Sequence, residues 1–162
     1  MGGHERGYQG KSYHWLTPQH ILNPLGSFFM DPCAAPSPRP WPIARHMIEP
    51  PSNGLEVPWQ NRIWLNPPYG SDTGKWLERL AIHGNGIALI FARVETKVFQ
   101  KFVWQKADAI LFLYSRIRFL RPNGSTGQGP GAPSCLVAYG KENVLALDSS
   151  GIKGAYMTHW RS

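Results

Sequence analysis

Residues 62–92 read RIWLNPPYGSDTGKWLERLAIHGNGIALIFA, and within them the spacing of the apolar residues changes twice. RIWLN is a short apolar run of the kind that lies inside a sheet, and it ends in Asn66, Pro67, Pro68 and Tyr69. The two prolines remove two backbone donors and fix two φ angles, and Pro67 biases Asn66 away from the helical region, so the chain leaves the strand stiff and extended. SDTGKWLERLAIHG then carries a capping residue in Ser71 or Asp72, apolar Trp76, Leu77 and Leu80 at helical spacing, and Gly84 as a stop. GIALIFA returns to an apolar strand run.

The same alternation extends outward. SFFMD (residues 27–31) reads as a buried strand stopped by Pro32, ETKVFQKFVWQKA (95–107) as a helix through Val98, Phe99, Phe102 and Val103, and AILFLY (109–114) as a further strand. Strand and helix in alternation predict an α/β fold, a mostly parallel sheet flanked by helices, with ligands at the carboxyl ends of the strands. Asp31 and Asn66 occupy two of those ends. The runs IRFL (117–120) and SCLVAY (134–139) read as strands flanking RPNGSTGQGPGAPS, a loop too long for a tight hairpin and either disordered or a mobile functional loop. Residues 32–61 are dense in proline, which predicts short or irregular structure and a fold reduced in that region.

A chain of 162 residues accommodates one domain. The start, MGGHERGYQGK, is polar and lacks the apolar core of a signal peptide, so residues 1–14 are expected to be a flexible segment and the compartment the cytoplasm, that of a host cell if the chain is phage-encoded. No apolar run approaches the ~20 residues of a membrane helix. Two distant cysteines and six scattered histidines have no metal-ligand spacing, which predicts no metal site. Net charge +7 favours a polyanionic partner. The excess is concentrated between residues 93 and 121, where seven basic side chains face two acidic ones. That run is either a nucleic-acid surface or a solvated basic face.

In order along the chain, TPQHI, FFMDPCAAP, NGLEVPW, WLNPPYG, GKWLERL, FARVETKVFQKFV and APSCLVAY closely resemble the compact Dam-type DNA N6-adenine methyltransferases of phages and prophages, over roughly residues 15–139. The resemblance implies a Rossmann-like S-adenosylmethionine-dependent fold in residues 15–148, with 149–162 as a tail. It implies S-adenosylmethionine as methyl donor and the exocyclic amine of a flipped adenine in DNA as target. Asn66, Pro67, Pro68 and Tyr69 are then the catalytic tetrad. The amine is a poor nucleophile because its lone pair is delocalised, and acceptors at the Asn66 side chain and Pro67 carbonyl would hold its hydrogens while Tyr69 stacks on the ring.

Asp31, Pro32, Cys33 and Ala34 are similar to the family's first cofactor segment, without the glycine-rich turn of larger relatives; Asp31 read alone is equally a loop or capping carboxylate. Thr17 and Pro18 correspond to the segment over the donor's carboxylate end, with capping by Thr17 as the other reading. Asn53 stands where many relatives have an acid and is assigned to the donor's adenine. Arg93, Lys97, Arg116, Arg118 and Ser134 are the candidate DNA contacts, with Glu95 a helix-start carboxylate. Two alternatives share this pattern. One is an RNA or protein amine or amide methyltransferase using the same NPPY chemistry; the other is a catalytically silent DNA-binding relative.

Overall fold

The computed structural model describes residues 16–121, 123–125 and 132–161. Its framework is one sheet of seven strands: β1 (Met30–Asp31), β2 (His46–Met47), β3 (Ile63–Leu65), β4 (Gly86–Phe91), β5 (Ala109–Leu113), β6 (Ser134–Tyr139) and β7 (Gly154–Thr158). Their spatial order is β2-β1-β3-β4-β6-β5-β7. The pairs β1–β2, β1–β3 and β3–β4 are parallel, whereas β4–β6, β5–β6 and β5–β7 are antiparallel. Following those pairings, β1 to β5 all run one way and β6 and β7 run against them. The sheet is therefore mixed, with all of its parallel ladders on the β1 side.

Both faces of the sheet are covered, which is why its strands read as continuous apolar runs and not as alternating ones. On one face Ile63, Leu65, Ala88, Ile90, Val137 and Tyr139 pack against helix α2 (Thr73–His83) through Trp76, Leu77 and Leu80, and against α3 (Lys97–Phe99) through Phe99. On the other, Trp64, Ile87, Leu89, Leu111, Leu136 and Ala138 pack against α1 (Gln19–Leu22) and α4 (Lys141–Asp148) through Ile21, Leu22 and Leu147. The α2 helix ends at Gly84 in a left-handed conformation (φ 75°), which a glycine adopts without steric cost. At its start Asp72 makes no capping bond and pairs instead with Lys75 at 3.3 Å.

Several sequence expectations are corrected. The helix expected over 95–107 is only one α-turn, capped by Thr96, whose hydroxyl accepts from Phe99 N at 3.2 Å. It continues as a π-helix over Gln100–Trp104. The widened turn leaves the Phe102 carbonyl available to the Tyr139 hydroxyl, which donates to it. IRFL is not a strand of the sheet. Its alternation is real, with Ile117 and Phe119 buried and Arg116 and Arg118 exposed, but only Leu120 pairs, in an isolated antiparallel bridge with Leu16.

The segment read as a tail, 149–162, contains the edge strand β7, and Trp160 Nε1 donates to the Trp104 carbonyl at 2.8 Å. The proline-rich stretch holds only β2 and a 3-10 turn over Gly54–Glu56, in keeping with short or irregular structure. The flexible segment expected over 1–14, and Pro122 and residues 126–131 of the long loop, lie outside the described residues. Among the described residues no helix is long and apolar enough to cross a membrane, and no group of three His, Cys, Asp or Glu side chains is placed to hold a metal ion.

Because β7 covers the open edge of β5 and Trp160 stacks edge-on against Trp104 at 5.6 Å, truncation after Ser150 should lower Tm by roughly 10 °C or more. A thermal unfolding scan of the truncated chain checks this; an unchanged Tm would return 151–161 to the status of a tail.

Candidate active site

The chain runs from β1 outward to β2 and then returns to place β3 on the other side of β1. That reversal is a topological switch point between β1 and β3, and ligands of α/β sheets bind outside the carboxyl ends of the strands at such points. Asp31 is the last residue of β1 and Asn66 the first after β3. Phe91 ends β4 and lies opposite Ser134, the first residue of β6, so the reversed strand begins at this same edge. Arg93 and Lys97 follow β4, and Arg116 and Arg118 follow β5, which runs parallel to it. All of these positions share one edge of the sheet.

Asn66 is half-buried and its Nδ2 donates to the Thr17 hydroxyl at 3.3 Å, across 49 residues of chain. Pro67 is buried, and the Pro68 carbonyl accepts from the Thr73 hydroxyl at 2.5 Å, fastening the turn to the first residue of α2. Tyr69 stacks face to face on Phe91, with ring centroids 3.9 Å apart and planes inclined by 10°. The Arg93 guanidinium lies 5.9 Å from the Phe91 centroid. The Tyr69 hydroxyl is buried and has no hydrogen-bond partner among the described residues, and burial pushes its pKa upward. A cavity of about 290 Å³ borders this stack, lined by Tyr69, Thr73, Phe91, Arg93 and Phe99 among others. A larger groove, about 970 Å³, lies around Phe28, Arg62 and Asn85 at the opposite, amino ends of β1, β3 and β4, away from Asn66.

Asp31 is 3% exposed. Burial pushes its carboxyl up to about 7, against the opposing effects of the Cys33 N–H, which donates to Oδ1 at 3.0 Å, and of the Arg39 charge. Arg39 is engaged elsewhere. Its guanidinium pairs with Glu49 and donates to the Ala35 carbonyl, and the hydrogen bonds from Ser37 and Arg39 hold Glu49 below the usual carboxylate range. Asp31 is thus a desolvated carboxyl, and among the described residues no ion pair to it is formed. The neighbouring Cys33 thiol is pushed upward by burial and by Asp31, away from thiolate character. Ala34 is buried, its N–H donating to the Ile48 carbonyl at 3.0 Å.

Asn53 is exposed and caps the 3-10 turn, its Oδ1 accepting from Leu55 N at 2.9 Å. Gly54 is pressed against the Pro32 carbonyl so closely that a Cβ there would lie 1.8 Å from the oxygen. Only glycine tolerates this approach, and it brings Asn53 beside the loop that follows Asp31.

The structure therefore places Thr17 on Asn66, which precedes Tyr69, and Asn53 beside Pro32, which follows Asp31, with Asp31 and Asn66 at the carboxyl ends of the adjacent strands β1 and β3. Pro18, buried, forms the N-cap of α1, so the capping reading of Thr17 does not hold. Arg93, Lys97, Arg116 and Arg118 are exposed, but Ser134 is 1% exposed with an unpartnered hydroxyl. Phe91 was not singled out from the sequence, where it looks like the last core residue of an apolar run. The Arg39–Glu49 pair was also missed, because nothing in the proline-rich stretch marks residues ten apart as neighbours.

The fold is α/β, with a topological switch point between β1 and β3. A family model described as DNA N-6-adenine-methyltransferase (Dam) matches residues 9–143. The chain belongs to this family. No curated protein and no solved structure matches it.

Asp31 also sets a pH dependence. Its native pKa is raised above the unfolded value of 3.8 to about 7, so between those limits the native state binds more protons. Its contribution to stability is present at low pH and is lost as pH rises through 7. Asn at this position does not titrate. Asp31→Asn should therefore gain Tm relative to wild type as pH increases from 5 to 8, by several degrees at the upper end. Parallel Tm profiles would show that Asp31 is not desolvated.

Proposed function

We propose that the chain transfers a methyl group from S-adenosylmethionine to the exocyclic N6 amine of an adenine flipped out of duplex DNA. The observation that carries this reading is the position of Asn66 and Pro67 at the switch point, one strand away from the buried Asp31 carboxyl, to which no ion pair is formed among the described residues. The crevice suits the donor in its charge. The amino-acid end of S-adenosylmethionine carries an ammonium group, and a cation beside Asp31 would offset the desolvation of its carboxylate. Asp31 would hold that end, with Pro32, Cys33 and Ala34 shaping the loop beneath it, Thr17 and Pro18 closing over it, and Asn53 beside Pro32 for the adenine. Bound there, the donor supplies an electrophilic methyl group on a sulfonium.

The chain's own residues act on the substrate amine. The Asn66 Oδ1 and Pro67 carbonyl accept its two hydrogens, drawing the nitrogen toward tetrahedral geometry and stabilising the positive charge that develops as it is alkylated. The Pro68 carbonyl is committed to Thr73, so it is not part of this acceptor pair. Tyr69, braced on one face by Phe91, offers its ring as a platform for the flipped base, which offsets about 1–3 kcal/mol of lost stacking. Arg93, Lys97, Arg116 and Arg118 form an exposed basic rim at the same edge and would follow the phosphate backbone. Asn123–Ser125 of the long loop meets the proline-rich stretch, Gly124 abutting Pro40. The two segments available for sequence recognition therefore adjoin each other.

Incubation with labelled donor and plasmid DNA, followed by nucleoside mass spectrometry, tests the reading; label in N6-methyladenine supports it, and donor binding without transfer favours a silent DNA-binding relative. Asn66→Ala should reduce turnover by a factor of about 100 or more while calorimetric donor affinity stays within a few-fold. Retention of most of the rate removes Asn66 from the mechanism.

The basic rim makes a separate prediction. Replacing Arg116 and Arg118 together with glutamine should weaken duplex binding and reduce the slope of log affinity against log salt by about 0.9 for each phosphate that the variant no longer neutralises. An unchanged slope would mark the pair as a solvated face.

A further inference from the structure

Resting on the reading of Asn66 as acceptor of the substrate amine, a further role falls to Thr17. We propose that Thr17 is a positioning residue, whose hydroxyl holds the Asn66 amide in the orientation that turns Oδ1 toward the substrate. A primary amide has one acceptor end and one donor end, and its terminal torsion is soft and roughly two-fold. Turned the other way, Asn66 would present N–H groups to an amine that itself bears hydrogens, and no lone pair would be drawn out.

In the structure Nδ2 donates to Thr17 Oγ1 at 3.3 Å. Since the two ends of the amide diverge, commitment of Nδ2 to Thr17 directs Oδ1 elsewhere. Thr17 is 2% exposed, so little bulk water competes for the bond. It is also held in place: the adjacent Leu16 makes the paired backbone bonds of an antiparallel bridge with Leu120, at 2.7 and 3.0 Å, and Pro18 starts α1. Its hydroxyl is not spent as the helix cap, because Pro18 occupies that position. Opposite the Asn66 amide the hydroxyl accepts, whereas valine of the same shape does not.

The test uses the full chain, saturating S-adenosylmethionine and an adenine-containing duplex in single turnover. Thr17→Val should slow methyl transfer about tenfold at saturating donor, as expected for loss of one buried hydrogen bond, with duplex affinity within about twofold of wild type. Thr17→Ser, which restores the hydroxyl, should return the rate to within about threefold. In the Asn66→Asp background the cost of Thr17→Val should shrink to about threefold or less, because a carboxylate has two equivalent acceptors and no orientation to lose. Equal losses in the two backgrounds overturn the proposal. So does a loss that appears only as weaker donor binding and vanishes at saturation, which would make Thr17 a donor contact alone. Heteronuclear NMR of the Asn66 side-chain amide, assigned by its absence in Asn66→Asp, provides a readout independent of turnover. Faster hydrogen exchange in Thr17→Val supports the bond, and unchanged exchange overturns it. If wild type methylates no adenine, the proposed function fails, while this signal still judges the contact between Thr17 and Asn66.

Discussion

The antiparallel ladder between β4 and β6 is the constraint on which the rest of the molecule depends. Six residue pairs, from Gly86 opposite Tyr139 to Phe91 opposite Ser134, set β6 between two strands that run against it. Side chains alternate across a strand, so a slip of one residue would exchange the two core layers. Ile87, Leu89, Leu136 and Ala138 would trade faces with Ala88, Ile90, Cys135 and Val137. Close backbone contacts oppose such a slip at one end. A Cβ at Gly86 would lie 2.5 Å from the Ile63 carbonyl oxygen, and one at Gly140 would lie 2.6 Å from that of Gly84. The Asp108 carboxylate accepts from Gly140 N at 2.7 Å and fixes the turn that leaves β6. At the other end the same register sets Phe91 beneath Tyr69. The placement of the tetrad's aromatic ring is therefore a consequence of how a strand some 65 residues later pairs.

Arg62 performs the corresponding task along the strand axis. It is buried at the start of β3, its Nε donating to Asn143 Oδ1 at 2.6 Å and its Nη1 to the Ser27 carbonyl at 3.0 Å, with the guanidinium 4.3 Å from the Phe28 ring centroid. Burial lowers its pKa, with Glu142 acting in the opposite direction. Ile63, Trp64 and Leu65 between this clamp and Asn66 are each no more than 1% exposed. An extended, packed strand has no slack, so fastening Arg62 at the amino edge fixes where Asn66 emerges, about 13 Å away at the carboxyl edge.

What was legible from sequence follows from which signals are local. The change from strand to helix and back across residues 62–92 is written in neighbouring residues, and β3, α2 and β4 appear where that change placed them. Asp31 and Asn66 were legible for the same reason, as polar residues directly after apolar runs. Long-range pairing was not. Residues 154–158 alternate weakly between half-buried and exposed and become a strand only because β5 has an open edge. Residues 117–120 show a cleaner alternation yet have no ladder beside them, because Leu120 meets only Leu16. Asn53 was assigned to the donor's adenine from its motif, and the structure adds that its side chain accepts from the backbone N–H two residues away. Such local side-chain bonds are common for asparagine and are invisible in a motif.

The charge distribution at the carboxyl edge has a bearing on how one crevice would serve two dissimilar ligands. Inside lies the Asp31 carboxyl, which burial pushes up to about 7 and which a neighbouring cation would return to its charged form. Positive charge lies outside, on exposed Arg93, Lys97, Arg116 and Arg118. On the proposed reading a polyanion is attracted to the rim, while the ammonium of a small donor meets the Asp31 carboxyl at the floor. Asn66 stands between the two and carries no charge. A carboxylate there would add a second negative group near Asp31, and a cation there would compete with the donor. A neutral amide avoids both effects and still offers an acceptor to the base amine. On the proposed reading this explains why asparagine is compatible with the site, and why its selectivity for the substrate rests on the orientation of its dipole, which a single hydroxyl from Thr17 is placed to set.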